Sequence, residues 1–329
     1  MQISCAFATS MSTPDDIVEA ERLGYLRAWC YDSPALYPDV WMVLALAAER
    51  TDRIGLGPAV LVPSLRHPMV NAAAIATLAA QAPGRVGVAL GAGFTGRMVL
   101  GQRPMRWADV AEYVRVLRAL LRGEETEWDG AVVRMLHPEG FGAARPVDVP
   151  ILIGADGPKG LAVATELADG VFSAALPQPD AASITPWRAL LSFGTVLDDG
   201  EDPTSARVLA AAGPAMAVVY HGMYVRGGPD AVDAFPGGKA WREATEATPE
   251  ASRHLAIHEG HLVEANARDR IALEDGATLI GAVTMTGTAA ELRERLATLE
   301  GAGVTEIVYQ PMGPDIAREL RAFATMAGV

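Results

Sequence analysis

An aspartate just beyond an apolar run, two glycine-rich turns and a group of histidines are the parts of this 329-residue chain whose types and spacing suit chemistry. Asp32 follows the run Leu26–Tyr31, so it stands where a buried strand would end and a carboxylate can face a bound group. The competing reading is a turn aspartate, because Ser33-Pro34 comes next. Gly91-Ala-Gly-Phe-Thr-Gly96 joins a strand to a helix. Gly91, Gly93 and Gly96 let backbone approach a planar ring or a ribityl chain, and Thr95 adds a hydroxyl. The pattern is formally a dinucleotide fingerprint. It follows a fourth strand rather than a first, however, and no acid closes a later strand at the expected distance.

Gly154-Ala-Asp-Gly-Pro-Lys-Gly160 opens another helix. Backbone from Ala155 through Gly157 to Gly160, with the Lys159 ammonium, makes a phosphate seat, provided that the Asp156 carboxylate faces away. An ordinary βα turn is the alternative. His254, His258 and His261 fall at i, i+4 and i+7 of one predicted helix, and His221 lies in an earlier one. His258-Glu-Gly-His261 is one residue short of the H-E-x-x-H zinc pattern, and no cysteine or acid stands at a supporting spacing, so no metal is expected. These histidines read either as structural, bonded to neighbouring helices, or as pocket residues. In the second reading His258 and His221 act as proton donor or substrate anchor. His67, ahead of Pro68, reads as a turn residue.

The elements that must position these groups alternate short apolar runs with longer amphipathic ones. Strands are predicted over Gln2–Ala8, Leu26–Tyr31, Ile54–Leu61, Arg85–Leu90, Val149–Ile153, Gly170–Ser173 and Thr305–Gln310, with helices between most of them. A hairpin is expected around Asp129–Gly130. Strands apolar throughout rather than alternating require a parallel sheet covered by helices on its faces. The expected fold is a single-domain (β/α)8 TIM barrel over residues 1–329, with an open doubly wound sheet as the alternative. Between residues 198 and 277 the rhythm gives way to helical periods (Ser205–Tyr224, Asp230–Phe235, Lys239–Glu246, Ser252–Ala265), read as a helical insertion covering the C-terminal face of the barrel.

Half of the residues are hydrophobic and a fifth are charged, enough for one large core. A net charge of −13 repels phosphate backbones and anionic lipid, so neither nucleic acid nor membrane is an expected partner. Cys5 and Cys30 read as buried reduced thiols. With no basic leader and no uninterrupted apolar run of about 18 residues, a cytoplasmic location is expected.

Several stretches resemble the luciferase-like monooxygenases. Arg53-Ile-Gly-Leu-Gly-Pro-Ala-Val-Leu-Val-Pro63 with Leu65-Arg-His-Pro68 is similar to their third strand and following turn, and Gly84-Arg-Val-Gly-Val-Ala-Leu-Gly-Ala-Gly93 to the fourth. Thr286-Gly-Thr-Ala-Ala-Glu-Leu-Arg and Gly303-Val-Thr-Glu-Ile-Val-Tyr309 resemble the last helix and strand. Ile151-Leu-Ile-Gly-Ala-Asp-Gly-Pro-Lys-Gly160 looks closest to the branch that uses the deazaflavin coenzyme F420. The resemblance implies an oxidoreductase passing a hydride between reduced F420 and a small organic substrate, assembled as a homodimer. An FMN-dependent monooxygenase and a non-catalytic cofactor-binding or partner subunit are the alternatives. It further implies that Ala59-Val60 forms a non-prolyl cis peptide backing the ring, and that Asp32 contacts the cofactor near its reactive edge. The sequence departs from the family at Ser33, where a histidine often stands, and at Ala79, often an acid. Ala174 and Pro177 replace the threonine and lysine of the sugar-phosphate dehydrogenases, so the resemblance does not extend to that substrate.

Overall fold

The structure, a computed structural model, describes residues 1–174 and 176–329. Ten strands are present among them: β1 (Gln2–Phe7), β2 (Arg27–Cys30), β3 (Gly55–Pro58), β4 (Val88–Gly91), β5 (Thr126–Trp128), β6 (Ala131–Val133), β7 (Ile151–Gly154), β8 (Gly170–Ser173), β9 (Trp187–Phe193) and β10 (Glu306–Gln310). β5 and β6 form the predicted antiparallel hairpin. The other eight make one parallel sheet in the order β3-β2-β1-β10-β9-β8-β7-β4. Its two end strands meet through the parallel bridges Leu56–Val86 and Leu61–Leu90, so the sheet is a nearly closed barrel. The TIM-barrel expectation holds, and the open-sheet alternative falls.

Closing β3 on β4 demands glycine. A methyl at Gly57 would lie far inside van der Waals contact with the Gly87 carbonyl oxygen. Apart from β9, the barrel strands are buried almost end to end, as the unbroken apolar runs require. One strand, β9, was not legible: Trp187-Arg-Ala-Leu-Leu-Ser-Phe193 mixes half-buried and buried positions, and Arg188 and Ser192 interrupt its apolar run. The lower barrel also holds a charge. Glu306, fully buried on β10, accepts from Trp29 Nε1 (3.1 Å), Trp187 Nε1 (2.6 Å) and Arg27 Nη1 (3.1 Å). Three donors replace the water it lost. Cys5 and Cys30 are free and buried, and burial pushes both thiols up.

Thirteen α-helices are present among the described residues: α1 (Thr13–Leu23), α2 (Val40–Arg50), α3 (Pro68–Gln81), α4 (Phe94–Met98), α5 (Trp107–Arg122), α6 (Pro158–Leu167), α7 (Ala206–Asp233), α8 (Gly238–Glu246), α9 (Arg253–His258), α10 (Ala267–Gly276), α11 (Ile280–Val283), α12 (Ala289–Gly301) and α13 (Ile316–Ala327). By compactness the chain divides into a barrel unit (Met1–Arg97, Arg103–Leu191, Glu300–Val308) and a helical unit (Met98–Gln102, Ser192–Leu299, Tyr309–Val329). The helical unit has its own core, in which Val208, Met216 and Tyr220 of α7 pack with Trp241, Ile257, Leu273 and Ile280. α7 is long and apolar enough to cross a membrane by length and composition, and the same apolar residues supply this core. Its backbone leaves helical geometry at Gly228 (φ 77°, ψ −171°), ahead of Pro229, which is the break expected between Tyr224 and Asp230.

An ionic knot in the helical unit carries a pH signature. Arg207 Nε donates to Glu201 Oε1 at 2.8 Å, and Ser205 and the Asp198 N–H also donate to this carboxylate. Arg207 foremost holds Glu201 down at about 2 from its ordinary 4.5. A lowered carboxyl stabilises the fold above its unfolded value, and this contribution is lost as pH falls through the folded value. Glu201→Gln should therefore melt earlier than wild type at neutral pH. That gap should shrink below about pH 4.5 and vanish near pH 2, as followed by circular dichroism. A pH-independent gap would show that the Arg207 pair is not its source.

Candidate active site

The exits of β2, β3, β4 and β7 meet around two valines. Gly91 and Gly154 lie opposite each other in the β4–β7 register. A Cβ on Gly91 would come within 2.9 Å of Val60 Cγ2, and one on Gly154 within 2.6 Å of Val60 Cγ1. Val60 therefore rests on the glycine pair and is itself only half-buried. The Ala59-Val60 peptide is cis, as the resemblance implies. Gly96 packs on the Asp32 carbonyl and on Val62, and Gly93 on Val62 and Arg97. These glycines thus also admit the protein's own Val60 and Val62 side chains and the Asp32 backbone. Thr95 sits half-buried in the short helix α4.

Asp32 is 4% exposed and does not stand alone. Arg66 Nη1 spans both of its oxygens at 2.7 and 2.8 Å, and the Val62 N–H donates to Oδ2 at 3.3 Å. The same guanidinium donates through Nη2 to Asp39 (2.8 Å), whose other oxygen caps α2 at Trp41 and Met42. Burial pushes the Asp32 carboxyl above the usual range, against the opposing pull of Arg66. Burial likewise works to lower Arg66, but its bonds to Asp32 and Asp39 outweigh this and leave it raised. The close approach of Nη1 to both oxygens is that of a charged pair. Tyr113 OH donates to the Arg66 carbonyl (3.0 Å), and the fully buried Asn71 ties Tyr113 to Trp41. Arg66 was missed from sequence, since it stands 34 positions from Asp32. His67 accepts from the Met69 N–H (3.0 Å) and caps α3, the turn role expected of it.

At the β7 exit, Ala155 is buried and donates its N–H to the Phe172 carbonyl. Asp156 Oδ1 accepts from the Ala174 N–H (2.9 Å), which engages that carboxylate with the exit of β8. Gly160 is a packing glycine: a Cβ there would meet Ala155 at 2.6 Å and Trp107 at 2.7 Å. Gly157, at the N-cap of α6, faces open space, with nothing within 4 Å of a Cβ, and Lys159 is exposed beside it.

The histidines gather elsewhere. α9 ends at His258, so the predicted helix Ser252–Ala265 and its single histidine face do not form. Gly260 (φ 74°) reverses the chain, and His258 and His261 come to a ring separation of 5.3 Å, with His221 of α7 beside both. His254 instead packs near Gly101. Burial foremost brings His258 down to about 4, and it takes His261 well below the ordinary value.

The sequence profile of the luciferase-like monooxygenases matches residues 12–306. A 5,10-methylenetetrahydromethanopterin reductase of Archaeoglobus fulgidus is 28% identical over 323 residues, covering 90% of this chain and 88% of that protein. An F420-dependent glucose-6-phosphate dehydrogenase of Nakamurella multipartita is 35% identical over 159 residues, 45% of each chain. Among solved structures, the coenzyme F420-dependent tetrahydromethanopterin reductase of Methanopyrus kandleri superposes with a TM-score of 0.68 at 22% identity, over 99% of this chain and 98% of that one. A profile match this long, on a barrel of this topology, means that the chain belongs to the luciferase-like monooxygenase family and is an enzyme of that class.

Proposed function

We propose that this enzyme moves a hydride between coenzyme F420 and a small carbonyl-containing or unsaturated substrate. The observation that carries the reading is Val60, packed on the Gly91–Gly154 pair at the strand exits and still partly exposed, which suits a planar ring laid over a barrel mouth. Two of the similar proteins carry F420 in their names, the Nakamurella multipartita dehydrogenase and the Methanopyrus kandleri reductase, and they support the choice of cofactor. The deazaflavin ring supplies two electrons as hydride; the chain's own residues hold and orient it. Val60 and Ala59 would back the ring, and Gly91, Gly93, Thr95 and Gly96 would shape its edge. The Ala155–Gly160 turn would receive the phosphate, with Gly157 leaving room, Lys159 supplying charge and Asp156 already engaged by Ala174. Asp32 enters as a positioning residue, since Arg66 and Val62 already engage its carboxylate. Proton delivery is not given to His258, because at about 4 it carries no spare proton at neutral pH.

Titrating the purified protein with F420 and, separately, with FMN tests the cofactor. F420 should bind and FMN should not; FMN binding without F420 would replace this reading with the flavin monooxygenase. The phosphate seat has its own test. Gly157→Glu adds a carboxylate where nothing obstructs it, at an extended backbone position (φ −171°) any residue adopts. Its thermal midpoint should shift little, by the equivalent of about 1 kcal/mol or less. Its F420 affinity should fall about tenfold or more through repulsion of the anionic tail. Unchanged affinity would remove the phosphate from this turn.

A further inference from the structure

His221, His258 and His261 each offer a ring nitrogen, and these three atoms lie within 4.8 Å of one another. All three residues are buried, at 2%, 1% and 5% exposure. Nδ1 of His221 and Nδ1 of His258 have no hydrogen-bond partner. Two unsatisfied polar atoms buried in a helical core are costly unless something absent from the polypeptide meets them.

The far side of His221 is fixed as a ligand's would be. Its Nε2 lies 3.0 Å from Asp269 Oδ1, and the same oxygen accepts from Trp241 Nε1 at 3.0 Å. Asp269 Oδ2 accepts from the Asn266 N–H, closing the capping box that starts α10. A carboxylate taking this many donors accepts from His221 as well. With the proton held on Nε2 by this carboxylate, Nδ1 carries the free lone pair, and Nδ1 is the His221 nitrogen without a partner. Trp241, stacked at 28° on the His221 ring, fixes its plane. A carboxylate behind one nitrogen of a histidine whose other nitrogen is left unpartnered beside further histidines is the arrangement by which proteins orient imidazoles on transition metals. The local chain is shaped to the same end: Gly260 allows the reversal after His258, and a Cβ there would lie 2.7 Å from the Glu264 carbonyl oxygen.

We propose that His221, His258 and His261 form a transition-metal site within the helical unit, suited to Zn²⁺, that ties α7 to the turn after α9. Three imidazoles and no thiolate favour zinc or a neighbouring first-row ion over a soft or an oxygen-seeking one. With bonds of about 2.0–2.1 Å, a tetrahedral ion sets its nitrogens about 3.4 Å apart, so each nitrogen need move by no more than about 0.8 Å to close on it. Three protein ligands leave one coordination position for water or another small ligand. The H-E-x-x-H rule gave no sign of this site, because it presumes one continuous helix, whereas here the chain turns after His258 and the third ligand comes from α7.

The test uses tag-free, full-length protein stripped with a chelator and titrated with Zn²⁺ and with Co²⁺. One equivalent of either should bind per chain, Zn²⁺ should raise the thermal midpoint, and Co²⁺ should take on the visible absorption of a tetrahedral imidazole centre. His258→Ala should lose that equivalent, and Asp269→Asn should weaken uptake about tenfold or more. His254→Ala, outside the cluster, should bind as wild type does. His258→Cys keeps a ligand and should shift the Co²⁺ spectrum by adding a thiolate band, so it reads out the site even if the alanine variant fails to fold. Stripped wild type that takes up no stoichiometric Zn²⁺ or Co²⁺ would overturn the proposal, and so would His258→Ala binding with wild-type affinity.

Discussion

Gly57→Ala should cost at least about 3 kcal/mol of a total stability of about 5–15 kcal/mol, and we expect it to leave little folded protein at growth temperature. Its added methyl would be driven into the Gly87 carbonyl oxygen, with Trp29 on the other side at 3.1 Å. Backbone opposes backbone there, so no rotamer change relieves the clash; only separating β3 from β4 does. That separation opens the β3–β4 seam, where the described residues join the sheet by isolated bridges instead of a ladder. Gly87→Ala is the comparison, because its methyl would meet side chains and no backbone, with Trp29 nearest at 3.3 Å and Trp187 and Pro150 at ordinary contact distance. It should cost about 1–3 kcal/mol, the usual range for overpacking. Chemical denaturation of both variants measures the difference. A Gly57→Ala midpoint equal to that of Gly87→Ala would mean that barrel closure at this seam contributes little.

The barrel was legible because parallel strands covered on both faces must be apolar at nearly every position, and seven of the eight show it. β9 did not, since Trp187 and Arg188 are half-exposed and give the run no apolar start. Helix α10 carried a usable signal that was not read: Asn266 and Asp269 are spaced as a capping box, and both reciprocal bonds are present. The candidate site was legible only as single residues. Asp32 stood out by its place after a strand, but what it does depends on Arg66, reached through the pairing of β2 with β3 and not through spacing. The glycines at 91 and 154 were visible too. That both make room for one valine could be known only from the β4–β7 register. Glu306 left no trace at all, because an acid in a strand reads as exposed until its three donors are seen.

The second large effect is expected at Asp32. Asp32→Ala removes two of the Arg66 contacts and the acceptor of the Val62 N–H, which together tie the exit of β2 to the segment following Val60. Breaking a buried pair from one side costs about 3–5 kcal/mol. Arg66 keeps Asp39 as a partner, which should bring the loss down to about 2–4 kcal/mol. The functional loss should exceed what this stability change explains: F420 affinity should fall about tenfold or more, because the backbone under Val60 is no longer held in one place. Asp39→Ala separates the two effects. It removes the α2 cap, at about 1 kcal/mol, but leaves Asp32 and Arg66 joined, so cofactor affinity should stay near wild type. Arg66→Lys keeps the charge but not the planar guanidinium that reaches both aspartates, and should fall between them. Melting curves and F420 titrations on the three variants give both readouts. Equal affinities for Asp32→Ala and Asp39→Ala would reduce Asp32 to a stabilising residue with no part in placing the ring.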